Sequence, residues 1–211
     1  MNISKSSFFD KLNLKRGFTL AETIIIISLY TILSLAIFSA VFYLYQSNSY
    51  TIDQSNEVEN ARKGLYVWLD DVKEMNFADD GAFPLALMDT NQMGFYSDID
   101  DDPSVEYIEY ILSTTTLYKR VYEASGYPPV YNFATSSKVE TLSEYVQNID
   151  QGIETFTYFD TDGVKLSTTT GLLTDVRYFE VNIVVNIDPL RSPGEFLLQS
   201  GAVPRNLKDN L

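Results

Sequence analysis

The stretch GFTLAETIIIISLYTILSLAIFSAVFYLY, residues 17–45, sets the architecture of the whole chain. From Thr23 to Tyr45 it runs 23 residues without a charge, a glycine or a proline. About 20 apolar residues suffice to cross a bilayer core as a helix. The run also outlasts the apolar region of about 7–15 residues in an ordinary secretory signal. Ser34-Leu35-Ala36 is a small-x-small triplet of the kind a signal peptidase cuts, but the apolar run continues well past it.

The charge on either side gives the segment a direction. Lys5, Lys11, Lys15 and Arg16 against Asp10 put +3 on residues 1–17, and the remainder of the 211-residue chain carries −17. A short basic head is retained in the cytosol, which places the body outside. An acidic body lacks the clustered cations that neutralise phosphates, so no nucleic-acid partner is expected. The chain has no Cys and no His. That excludes disulfides, thiolate zinc sites and thiol chemistry, and removes the commonest general base. Neither a G-x-S-x-G elbow nor a glycine-rich phosphate loop occurs, so no enzymatic activity is expected.

Beyond the apolar run the helix has no reason to stop. There is no glycine between Gly17 and Gly64 and no proline before Pro84. Val58, Ala61, Leu65, Trp68, Leu69, Val72 and Met75 recur at steps of three and four, one face of a helix. Asp53, Glu57, Asn60, Lys63, Asp71 and Glu74 are read as its solvated face, with Glu59 and Lys63 as an i,i+4 pair. The expected helix runs from Phe18 to about Asn76, apolar all round in its first half and striped in its second.

After NFADDGAFP (76–84) the pattern changes to strands. Gln92–Ile99, Val105–Leu112 and Thr115–Glu123 are rich in Tyr, Ile, Val and Thr. Glu154–Phe159 and Val164–Ser167 flank an Asp-Gly turn at Asp160-Thr-Asp-Gly163. Val176–Ile187 alternates apolar and polar residues, and Phe196–Val203 supplies a last strand. Pro128-Pro129 and the Ser/Thr-rich residues 134–143 read as a surface excursion. The expected fold is α+β, a long N-terminal helix whose outer half covers one face of an antiparallel sheet, with Trp68 as an anchor between them. The organisation is a basic leader (1–17), a membrane-crossing helix (18–48), its amphipathic continuation (49–77) and a β-rich head (78–211).

Lys15-Arg16-Gly17-Phe18-Thr19-Leu20-Ala21-Glu22, followed at once by the apolar run, resembles the class III signal of type IV prepilins and type II secretion pseudopilins. The resemblance implies cleavage between Gly17 and Phe18 by a prepilin peptidase that also N-methylates Phe18. It implies further that Glu22 pairs with the Phe18 amine of a neighbouring subunit in a filament. The implied partners are that peptidase/N-methyltransferase, other pilins or pseudopilins, the inner-membrane assembly platform and the membrane itself. The resemblance also implies a minor subunit that initiates or caps a type IV pilus or a type II secretion pseudopilus. The other reading of Glu22 is a carboxylate favoured by the dipole at a helix N-terminus. Ala61-Arg62-Lys63 with Tyr66–Asp70, the strand–turn–strand GFYSDIDDDPSVEYIEYIL and the C-terminal GEFLLQSGAVPRNLK are similar to the larger minor pilins and J-type minor pseudopilins. The chain departs from many relatives in having no proline within the apolar run. A filament-tip or surface adhesin on the same anchor is the alternative function, and an uncleaved single-pass protein the third.

Asp98, Asp100 and Asp102 alternate in SDIDDDP, with Glu106 close behind. They are a candidate calcium site, although Pro103 stands where a calcium loop wants glycine. The competing reading is a solvated acidic turn. No cofactor is otherwise expected. The 15 tyrosines are explained mainly by packing, with a carbohydrate or stacking surface as the alternative.

Overall fold

The computed structural model describes residues 17–100, 103–191 and 194–206. It is an α+β protein with one long helix, α1, over Leu20–Lys73. Ten strands follow: β1 Leu85–Met88, β2 Gln92–Ser97, β3 Glu106–Ser113, β4 Thr116–Tyr122, β5 Ala124–Ser125, β6 Val130–Tyr131, β7 Lys138–Ser143, β8 Phe156–Phe159, β9 Tyr178–Val185 and β10 Phe196–Ala202. A four-residue helix, α2 (Asn148–Gln151), lies between β7 and β8. All named strand pairs are antiparallel, in a five-stranded sheet β1-β2-β3-β4-β7, a three-stranded sheet β10-β9-β8 and the β5–β6 pair. The chain divides into two compact units, residues 1–49 and 50–211.

In the first unit every described residue is exposed. Thr23, Ser28 and Thr31 turn their hydroxyls back to the carbonyls of Thr19, Ile24 and Ile27 at 2.8–3.2 Å. A hydroxyl satisfied within its own helix leaves the surrounding apolar surface uninterrupted, as a hydrocarbon environment requires. The helix is long and apolar enough to span a membrane.

In the second unit the predicted stripe is the core. Ala61, Leu65, Trp68, Val72 and Met75 are buried, and Val58 and Leu69 pack against them. They share one cluster with Phe95, Ile108, Tyr110 and Leu117 of the larger sheet and Phe179, Val181 and Ile183 of the smaller. Each such side chain contributes about 1.5–3 kcal/mol on leaving water. Trp68 is the largest fully buried side chain, so its reading as an anchor between helix and sheet agrees with the packing. Gly64 serves close approach: a Cβ there would lie 2.9 Å from Leu142 Cβ and 3.3 Å from its carbonyl oxygen. Polar clamps fix the rest. Gln54, buried, donates to the Val185 carbonyl and accepts from the Ile187 amide. At the far end of α1, the Lys73 and Met75 carbonyls accept from the Arg205 amide and the Asn206 side chain. The C-terminal segment thus satisfies carbonyls that a helix end leaves open.

Three local expectations need correction. Residues 138–143 are not part of a loop but the edge strand β7, paired with β4. Thr and Val favour strands, and Lys138 and Glu140 are charges of the kind that guard a sheet edge. Val164–Ser167 is not a strand: a single bridge, Phe159 with Lys165, follows the turn. The turn itself is as expected, with Gly163 at φ +75° and Asp160 Oδ1 accepting the amides of Asp162 and Val164. Finally, Glu57 and Asp71 are buried and do not belong to the solvated face.

Candidate functional site

The start of α1 is built by a reciprocal hydrogen-bond pair. Thr19 precedes the helix; its amide and its hydroxyl each donate to Glu22 Oε2 at 2.9 Å, and the Glu22 amide donates back to Thr19 Oγ1 at 3.3 Å. This is a capping box, Thr-x-x-Glu, which satisfies amides that the first turn cannot pair internally. Glu22 therefore has a local partner already, and its carboxylate sits where the helix dipole favours it. The Thr-x-x-Glu spacing is legible in the sequence, so this role was available to a reading of Thr19 as a cap. Gly17 and Phe18 precede the helix as exposed, irregular backbone, and among the described residues nothing lies within 4 Å of a Cβ built at Gly17. Lys15 and Arg16 lie outside the described residues.

The acidic turn brings together three of the four acidic residues named from the sequence. Asp98, Asp100 and Glu106 bring one carboxylate oxygen each within 4.8 Å of one another, whereas Asp102 lies outside the described residues. Glu106 is buried; its Oε2 accepts the Ile99 amide at 3.1 Å and its Oε1 the Ser104 hydroxyl at 3.3 Å. Burial, with the Asp100 charge beside it, pushes its carboxyl above the usual glutamate range. Both oxygens thus hold the turn between β2 and β3. Three carboxylates supply the oxygen type that calcium takes but fewer than its roughly six to eight ligands.

The least anticipated group lies under the larger sheet. Asp71, on α1, contacts the Lys119 ammonium of β4 and accepts the Tyr110 hydroxyl of β3 at 2.5 Å. All three are buried. Desolvation raises the Asp71 carboxyl above the ordinary aspartate range, with Lys119 and Tyr110 pulling the other way. Lys119 alternates with Leu117 and Val121 on the inward face of β4, so a charge in an apolar register was the available signal. Glu57 plays a comparable part, its Oε1 accepting the Glu144 amide at 2.8 Å just beyond β7.

No protein-family model matches this chain, and no curated protein matches it.

Proposed function

We propose that this chain is a structural subunit of the prepilin type, cut after Gly17, N-methylated on Phe18 and assembled through its N-terminal helix. Its place is a minor one, initiating or capping a type IV pilus or a type II secretion pseudopilus, with the β-rich head outside the membrane. The observation that carries this reading is one register. A basic pair, a glycine, an aromatic residue and a glutamate stand in order before 23 uncharged residues. Two structural features support it. Gly17 and Phe18, on either side of the proposed cut, are irregular and exposed, and α1 becomes buried only from Tyr50 onward. A helix left apolar and bare for its first 30 residues needs lipid or other helices around it.

Glycine beside the scissile bond suits a cleft that a Cβ would obstruct. Coexpression with a prepilin peptidase should convert the chain to a shorter form, and Gly17→Val should stay full length. Persistence of the full-length wild-type chain beside an active peptidase would count against the proposal.

A further inference from the structure

A sheet covered on one face by a helix normally turns a polar face to water. Here the other face of the five-stranded sheet carries Tyr96, Tyr107 and Tyr122 from β2, β3 and β4, with neighbouring ring centroids 5.3 and 5.7 Å apart. Gly94 belongs to the arrangement: a Cβ there would stand 2.1 Å from the Tyr107 hydroxyl. Tyr131 of β6 packs on the same cluster, and all four tyrosines are buried. Packing explains them. Phe133 packs one side of its ring against Tyr107, Tyr122 and Tyr131, with centroids 4.8, 5.8 and 6.4 Å away, yet remains 56% exposed.

Beside Phe133 lies an open cleft of about 520 Å³, lined by Leu87, Tyr107, Tyr122 and Phe133 together with Glu109 and Arg120. Glu109 is held rigidly: Gln92 Nε2 donates to it at 2.6 Å, Arg120 at 3.2 Å and the Tyr122 hydroxyl at 3.4 Å. Arg120 keeps 39% of its side chain in solvent. The cleft therefore joins an aromatic wall to a fixed acceptor and an adjacent multiple donor, the composition of a small-ligand site.

The charges decide the ligand class. A cation would find Glu109 already met by Arg120, and an anion would meet that carboxylate on a body carrying −17. A neutral ring with an apolar C–H face and a rim of hydroxyls meets neither obstacle. Its face lies on the exposed Phe133 ring, and vicinal hydroxyls donate to Glu109 and accept from Arg120. We propose that this cleft binds a neutral pyranose unit of a polysaccharide. The head is then a glycan-binding module as well as a folded domain, whether or not the chain enters a filament.

Titration of the full-length protein in a non-glycosidic detergent tests this. The probes are cellohexaose, maltohexaose and chitohexaose, with tetramethylammonium and polygalacturonate as the cationic and anionic alternatives. At least one neutral hexasaccharide should bind saturably. Phe133→Ala and Arg120→Gln should each weaken it about tenfold with the head still cooperatively folded at the assay temperature, as circular dichroism reports. Gly17→Val should bind as the wild type does, which separates this result from the fate of the leader. The proposal is overturned if no neutral hexasaccharide binds, if either variant leaves binding intact, or if only the charged probes bind.

Discussion

Asp71→Leu alone is expected to destabilise the head by about 3–5 kcal/mol, because it strands the Lys119 ammonium inside the core. The ammonium and the carboxylate were taken out of water together, and each is tolerable only with the other. The Asp71→Leu/Lys119→Met double variant should recover most of that loss, since replacing a whole buried pair by apolar side chains is often neutral or better. It still leaves the Tyr110 hydroxyl without its acceptor, at about 1–3 kcal/mol, so adding Tyr110→Phe should improve it further. Chemical denaturation followed by Trp68 fluorescence measures all three. An Asp71→Leu midpoint close to that of the wild type would show that the pair is not buried as described.

Glu22 separates two roles by two substitutions. Glutamine can complete a capping box as glutamate does, but it carries no charge. Glu22→Gln should therefore keep the start of α1 formed and still fail to enter filaments, because a charged Phe18 amine of a neighbour would find no counter-ion. Glu22→Ala should fail likewise and also lose the reciprocal half of the box, leaving the Thr19 amide without its acceptor while Thr19 still caps the residue 22 amide. Membrane insertion should survive both, since removing a carboxylate from the edge of an apolar segment eases its entry. Recovery of Glu22→Gln in filaments at the wild-type level would reduce the residue to its cap.

The chain announced its helix and its sheet through period. Steps of three and four from Val58 to Met75 and alternation from Phe179 to Val185 both report a single buried face, and burial is what period encodes. β7 was lost because Ser and Thr suit both loops and half-exposed edge strands, and its partner β4 lies across an intervening excursion. The tertiary partners of Asp71 and Glu57 were illegible for a related reason. A polar residue beside an apolar stripe is solvated or buried according to what packs above it, and Lys119 and the Glu144 amide approach from far along the chain. At the acidic turn, Asp98, Asp100 and the nearby Glu106 were legible as neighbours because a short turn keeps them close in sequence as well as in space. Glu22 was legible as the partner of a cap through its Thr-x-x-Glu spacing from Thr19, while the assembly role proposed for it rests on its place in the register alone.

The most direct measurement is the mass of the N-terminal peptide of the protein isolated from a membrane that contains a prepilin peptidase. A chain that begins with N-methylated Phe18 is the predicted result. A peptide that begins at Met1, or one that begins at Ile37 after cleavage behind Ala36, would contradict it.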